Sequence, residues 1–115
     1  MAVLSSHLLN GVDGTHANAV TITLIQINAD ETRSVVFTEQ SDGGGRFYKE
    51  VAAVSDAGYE MVIASGAYFA EQDITVTGAQ ILNEIVIRFS MPDPDTRYHI
   101  PVIMSPNSYS CWWSS

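Results

Sequence analysis

The chain is poor in positive charge and in cysteine: five lysine or arginine residues stand against thirteen acidic ones, and Cys111 is the one cysteine. A single thiol excludes an intramolecular disulfide and fits a reducing compartment. With one cysteine and no pair of its three histidines closely spaced, the residues for a metal site are missing, and none is expected. A formal net charge of −8 repels phosphate backbones and anionic lipids, which excludes nucleic acid and membrane surfaces as partners. No apolar run is long enough to cross a bilayer, and the opening Met1-Ala2-Val3-Leu4-Ser5-Ser6-His7 lacks the basic region and apolar stretch of a signal peptide. A soluble, cytoplasmic protein is expected. At 115 residues the chain is read as one domain, 1–115.

Internal repeats, heptads and low-complexity tracts are also lacking. Gly43-Gly44-Gly45 has neither the spacing nor the following helix of a phosphate-binding loop and is read as a hairpin tip. No cofactor is called for.

Alternation of apolar and polar residues dominates what is present. In Ala19 to Ile27, Val20, Ile22 and Leu24 share one face, with Thr21 and Thr23 on the other, as in a half-buried strand. Comparable runs cover Val3 to Leu9, Ser34 to Thr38, Tyr59 to Ala64, Leu82 to Ser90, Tyr98 to Met104 and Tyr109 to Trp113. Turn-forming clusters such as Asn10-Gly11-Val12-Asp13-Gly14 and Met91-Pro92-Asp93-Pro94-Asp95 separate them. Only Ala67 to Asp73 has helical character. Short strands with one connecting helix predict an all-β antiparallel sandwich.

Strand parity puts His99 on the face opposite Tyr98, Ile100, Val102 and Met104, where it points either into a cleft or into solvent. His7 shares a face with Val3, Ser5 and Leu9 and is open to the same two readings. Arg46 follows the glycine turn at a strand start; it is either a delivered guanidinium or half of a surface ion pair. His16 lies in a turn and is read as a solvated side chain. Cys111, beside two tryptophans rather than cations, is read as a packing residue. Adjacent Trp112 and Trp113 must point to opposite faces of a strand, so one of them needs a partner surface or a ligand.

Tyr98-His99-Ile100-Pro101, Ser105-Pro106, Ser65-Gly66-Ala67-Tyr68-Phe69-Ala70, and Asn83 to Phe89 stand in the order and spacing of the transthyretin-like family. The chain resembles its 5-hydroxyisourate hydrolase branch along nearly its whole length. His16 replaces a proline in that branch's second-strand turn, and the Asp42-to-Arg46 loop is longer than its counterpart. The resemblance implies a prealbumin-like sandwich of two four-stranded sheets with one short helix, assembled as a homotetramer, a dimer of dimers, with sites in the channel between dimers. It places His7, Arg46, His99 and Ser115 in the catalytic set and Trp112, Trp113 and Ser114 at the substrate.

The implied activity is cofactor-free opening of a cyclic amide or ureide, as in purine metabolism, in a small heterocyclic substrate. One imidazole takes a proton from water, another holds the water or protonates the leaving nitrogen, and arginine holds the anion. Where those hydrolases end in Tyr-Arg-Gly-Ser or Tyr-Arg-Gly-Thr, this chain ends in Trp112-Trp113-Ser114-Ser115. Loss of that arginine points to a substrate that has moved from the purine pathway. Two alternatives follow: cyclisation or isomerisation of a heterocycle in specialised metabolism, and non-catalytic carriage of a small ligand as in transthyretin.

Overall fold

The computed structural model describes residues 1–74 and 77–114. Its elements are β1 (Ala2–Asn10), β2 (Thr21–Ile27), β3 (Arg33–Gln40), β4 (Arg46–Val51), β5 (Gly58–Ile63), α1 (Ser65–Ala70), β6 (Ile85–Ser90), β7 (Arg97–His99), β8 (Val102–Ser105) and β9 (Ser108–Cys111). One sheet has the order β4-β1-β8-β9, with β7 also paired to β1, and the other the order β3-β2-β5-β6. β7 and β8 both run parallel to β1 and keep one register, Val3 opposite Arg97 and Leu8 opposite Val102. They are therefore a single strand track, and each sheet is four strands wide.

That track was expected as one strand from Tyr98 to Met104. It is interrupted at Ile100-Pro101, where proline has no N–H for the ladder. The helix begins two residues earlier than its pattern suggested, and β6 is confined to Ile85–Ser90. β4 was absent from the alternating runs; its Arg46-Phe47-Tyr48-Lys49-Glu50-Val51 buries only Phe47 and Val51 fully.

The core lies between the sheets. Leu4, Leu8, Val102 and Met104 from one sheet meet Ile22, Leu24, Met61, Ile63 and Ile85 from the other, all at most 1% exposed. Each such side chain contributes about 1.5–3 kcal/mol on burial. On β1 the alternation is strict: Ala2, Leu4, Ser6, Leu8 and Asn10 are buried, and Val3, Ser5, His7 and Leu9 are half-buried. The two buried polar residues are satisfied, Ser6 Oγ donating to the Ile100 carbonyl at 2.6 Å and Asn10 Nδ2 to Tyr68 OH at 3.2 Å. β9 is a sheet edge with every residue exposed, so Cys111 is exposed rather than packed as the sequence suggested. No helix among the described residues is long and apolar enough to cross a membrane.

Glu60 is buried on the outer face of the second sheet, where Arg33 and Arg88 both bond its Oε1. The Arg33 hydrogen bond and the charges of both arginines hold its carboxyl below the usual carboxylate range, against the opposing effect of burial. A lowered pKa in the folded state contributes stability that is complete above the unfolded value of about 4.3 and is lost as pH falls through the folded one. Glu60→Gln is therefore expected to lower the urea midpoint at pH 7, with the gap to wild type closing as pH falls below about 4. A pH-independent gap would show that the ionised pair is not its source.

Candidate functional site

The site begins with the peptide of Leu8. Its N–H donates to the Gly45 carbonyl at 2.6 Å, and its C=O accepts from the Ala17 N–H at 2.9 Å. Gly45 has φ +73°, and a Cβ there would lie 2.3 Å from the Leu8 carbonyl oxygen. Only glycine fits this left-handed, crowded position. Asp42 closes the turn ahead of it, its Oδ1 accepting from the N–H groups of Gly44 and Arg46 at 2.9 Å. Those backbone bonds hold its carboxyl below the usual range. The chain leaves the turn at Arg46, directly opposite His7 in the antiparallel pair of β1 and β4.

Cross-strand register then builds the face. Residues opposite each other point to the same side of a sheet. Arg46, His7 and, by the constant offset of β7 and β8, Pro101 form one transverse row. Tyr48, Ser5 and His99 form the next. The tail pairs back onto β7, Ser114 N–H donating to the His99 carbonyl at 2.8 Å, with a bridge between the same residues. In the register shared with β9, Trp112 extends the first row and Ser114 the second. From strand and residue spacings, the Cα atoms of His7 and His99 lie roughly 8 Å apart on the diagonal.

Ser5 Oγ and His99 Nδ1 are hydrogen-bonded at 2.9 Å, which fixes the imidazole and leaves Nε2 for chemistry. A cleft of about 340 Å³ is lined by Ser5, Ser6, Asp42, Arg46, Phe47, Tyr48 and His99. His7 adjoins it from the Arg46 row. Burial, then the charge of Arg46, His16 and His99, lower the pKa of His7; a bond to the Gly44 backbone opposes them. The neutral form of the His7 imidazole is thereby favoured. No group of three or more His, Cys, Asp or Glu among the described residues could hold a metal ion.

Of the sequence-derived candidates, His7, Arg46, His99, Trp112 and Ser114 share this face. Trp113 is on the other. Its indole packs over Tyr98, centroids 6.4 Å apart, in an apolar cleft with Phe89, Pro92 and Ile100. Ser115 lies outside the described residues. Two residues were missed. Ser5 shares strand parity with His7, a usable signal. His16, read as a solvated turn residue, is bonded through Nδ1 to His7 Nε2 at 2.9 Å. Backbone bonds made by Thr15 and Ala17 to β1 put it there, and no local pattern announces them.

Removing the fit at Gly45 should disturb fold and site together. Gly45→Ala is expected to cost on the order of 3 kcal/mol in urea unfolding. Gly43→Ala, with nothing within 4 Å of its new methyl, should stay within about 0.5 kcal/mol of wild type. Equal effects would contradict the account of the turn.

The comparisons with known proteins agree with this architecture. The family described as HIUase/Transthyretin matches residues 4–113. The protein named 5-hydroxyisourate hydrolase 2 from Rhizobium meliloti is 29% identical over 115 residues, covering 97% of this chain and 95% of that one. The crystal structure of (S)-allantoin synthase superposes with a TM-score of 0.84 at 27% identity, covering 99% of this chain and 44% of the other. The Klebsiella pneumoniae 5-hydroxyisourate hydrolase superposes at 0.79 with 23% identity over the full length of both chains. With the match spanning nearly every strand that builds the face, the chain belongs to the HIUase/Transthyretin family.

Proposed function

We propose that the chain is a cofactor-free hydrolase of the 5-hydroxyisourate hydrolase type, opening a cyclic amide or ureide at the His7, Arg46 and His99 face. The observation that carries the reading is the meeting, on one sheet face, of the His7 imidazole, a second imidazole fixed by a hydroxyl, and a guanidinium. The name of the Rhizobium meliloti relative supports the same reaction.

In this mechanism His7 removes a proton from water as its oxygen bonds to the ring carbonyl carbon. Arg46 holds the oxyanion that forms; its guanidinium has no hydrogen-bond or ion-pair partner among the described residues. The C–N bond breaks, and the ring nitrogen leaves with a proton delivered by His99. Proton exchange with solvent restores both imidazoles. Trp112 and Ser114 border the substrate from the tail, with Ser115 following them. Trp112 is 47% exposed, which offers a planar heterocycle a stacking surface.

A homotetramer, a dimer of dimers with this open sheet face toward its channel, belongs to the same reading.

Freshly generated 5-hydroxyisourate, followed by absorbance, tests the assignment. Wild type is expected to accelerate its decay, His7→Ala and His99→Ala to lower kcat/KM by about 10²–10⁴, and Arg46→Ala by about 10²–10³. Trp113→Arg should stay close to wild type, since Trp113 faces Tyr98. Binding by wild type without acceleration would replace this reading with carriage of a ligand.

The lowered pKa of His7 fixes the pH profile. Activity that needs neutral His7 is full at pH 7 and falls on acidification, with the acid limb of kcat/KM below the ordinary imidazole value of about 6.5. A limb above that value would contradict His7 as the base.

A further inference from the structure

His7 and His16 are joined Nε2 to Nδ1 at 2.9 Å, with ring centroids 5.0 Å apart and planes 22° from parallel. These values describe an edge-to-edge hydrogen bond rather than a face stack. A ring nitrogen lies only about 1 Å from its ring centre, so a head-on bond separates the centroids by about 5 Å. Two stacked rings could not bring their nitrogens so close. Such a bond needs one N–H and one lone pair, and therefore couples the two protonation states.

His16 is held for this contact. The loop carrying it is tied to β1 on both sides, by Asn10 N–H to the Thr15 carbonyl at 2.8 Å and Ala17 N–H to the Leu8 carbonyl at 2.9 Å. Asp13 anchors Thr15 through its N–H and hydroxyl. Buried Ser41 donates to the Ala17 carbonyl at 2.7 Å and accepts from the Val20 N–H at 2.9 Å. The missing Cβ of Gly45 leaves space bordered by the His16 Cβ, which a methyl would approach to 3.4 Å.

We propose that His16 is a positioning residue for His7, fixing the plane and the tautomer of its imidazole through the Nε2 to Nδ1 hydrogen bond. The proposal rests on the hydrolase reading for its catalytic meaning. His16 holds Nε2 and, together with the Gly44 backbone bond that also engages the ring, sets the protonation state in which His7 meets water. The charged and titratable groups facing His7 are Arg46 on β4, Asp42 in the turn, His99 on β7 and His16 in the loop. Of these side chains His16 is the one hydrogen-bonded to the ring, alongside the Gly44 backbone.

The test compares wild type with His16→Phe, which keeps a ring but removes both nitrogens, and His16→Asn, which returns an amide near the Nδ1 position. Ring ¹⁵N shifts of His7, read by NMR without substrate, should show one dominant tautomer in wild type and an averaged pair in His16→Phe. With substrate, His16→Phe should lower kcat/KM by about tenfold through kcat, with KM little changed. Its acid limb should move upward, because one group that lowers the His7 pKa is gone. His16→Asn should recover much of the loss.

Averaged tautomers in wild type, or His7 shifts and titration unchanged in His16→Phe, would overturn the proposal. Should His16→Phe fail to fold, the wild-type tautomer and the His16→Asn profile decide. Absence of hydrolysis by wild type overturns the activity alone, because the His7 tautomer is read without substrate.

Discussion

The structure turns on the peptide of Leu8, bonded on one side to Gly45 and on the other to Ala17. β1 is an interior strand of its sheet, and here it also receives two loops. Because Gly45 has no room for a Cβ, the turn closes onto the strand at van der Waals limits and starts β4 at Arg46. The register that follows puts a guanidinium beside the imidazole of the residue before Leu8. The other bond brings the His16 loop to the same place. One peptide unit thus fixes the relative position of three side chains that are remote in sequence or carried on separate segments.

The second histidine arrives by a different route. β7 and β8 run parallel to β1 in one unbroken register across Pro101, which sets His99 opposite Ser5 and leaves it hydrogen-bonded there. The tail repeats the pattern one strand farther, and strand parity sorts its tryptophans: Trp112 to the face of the histidines, Trp113 to the edge of the core beside Tyr98. Trp113 therefore leaves the cleft beside His99 unfilled.

Much of this was legible in the sequence because period-two patterning carries it. Val20, Ile22 and Leu24 are buried as their alternation requires, and the parity of His7 and His99 placed both off the core. β4 was harder, since its burial is sparse and its pairing with β1 comes from the turn. His16 was illegible for a stronger reason: its neighbours Gly14, Thr15 and Asn18 describe an ordinary turn, and its partner is chosen by backbone bonds to β1. Cys111 was misread because burial was inferred from its aromatic neighbours, whereas β9 is an edge with both tryptophans themselves exposed.

The central claim is that ligand chemistry belongs to the His7, Arg46 and His99 face and not to the apolar cleft around Trp113. A titration of isotope-labelled protein with urate, a stable planar relative of the proposed substrate, tests it most directly by NMR. The account predicts that imidazole signals of His7 and His99 and the indole signal of Trp112 move together with one Kd, while the Trp113 indole stays in place. Movement at Trp113 with the histidines unaffected would contradict it.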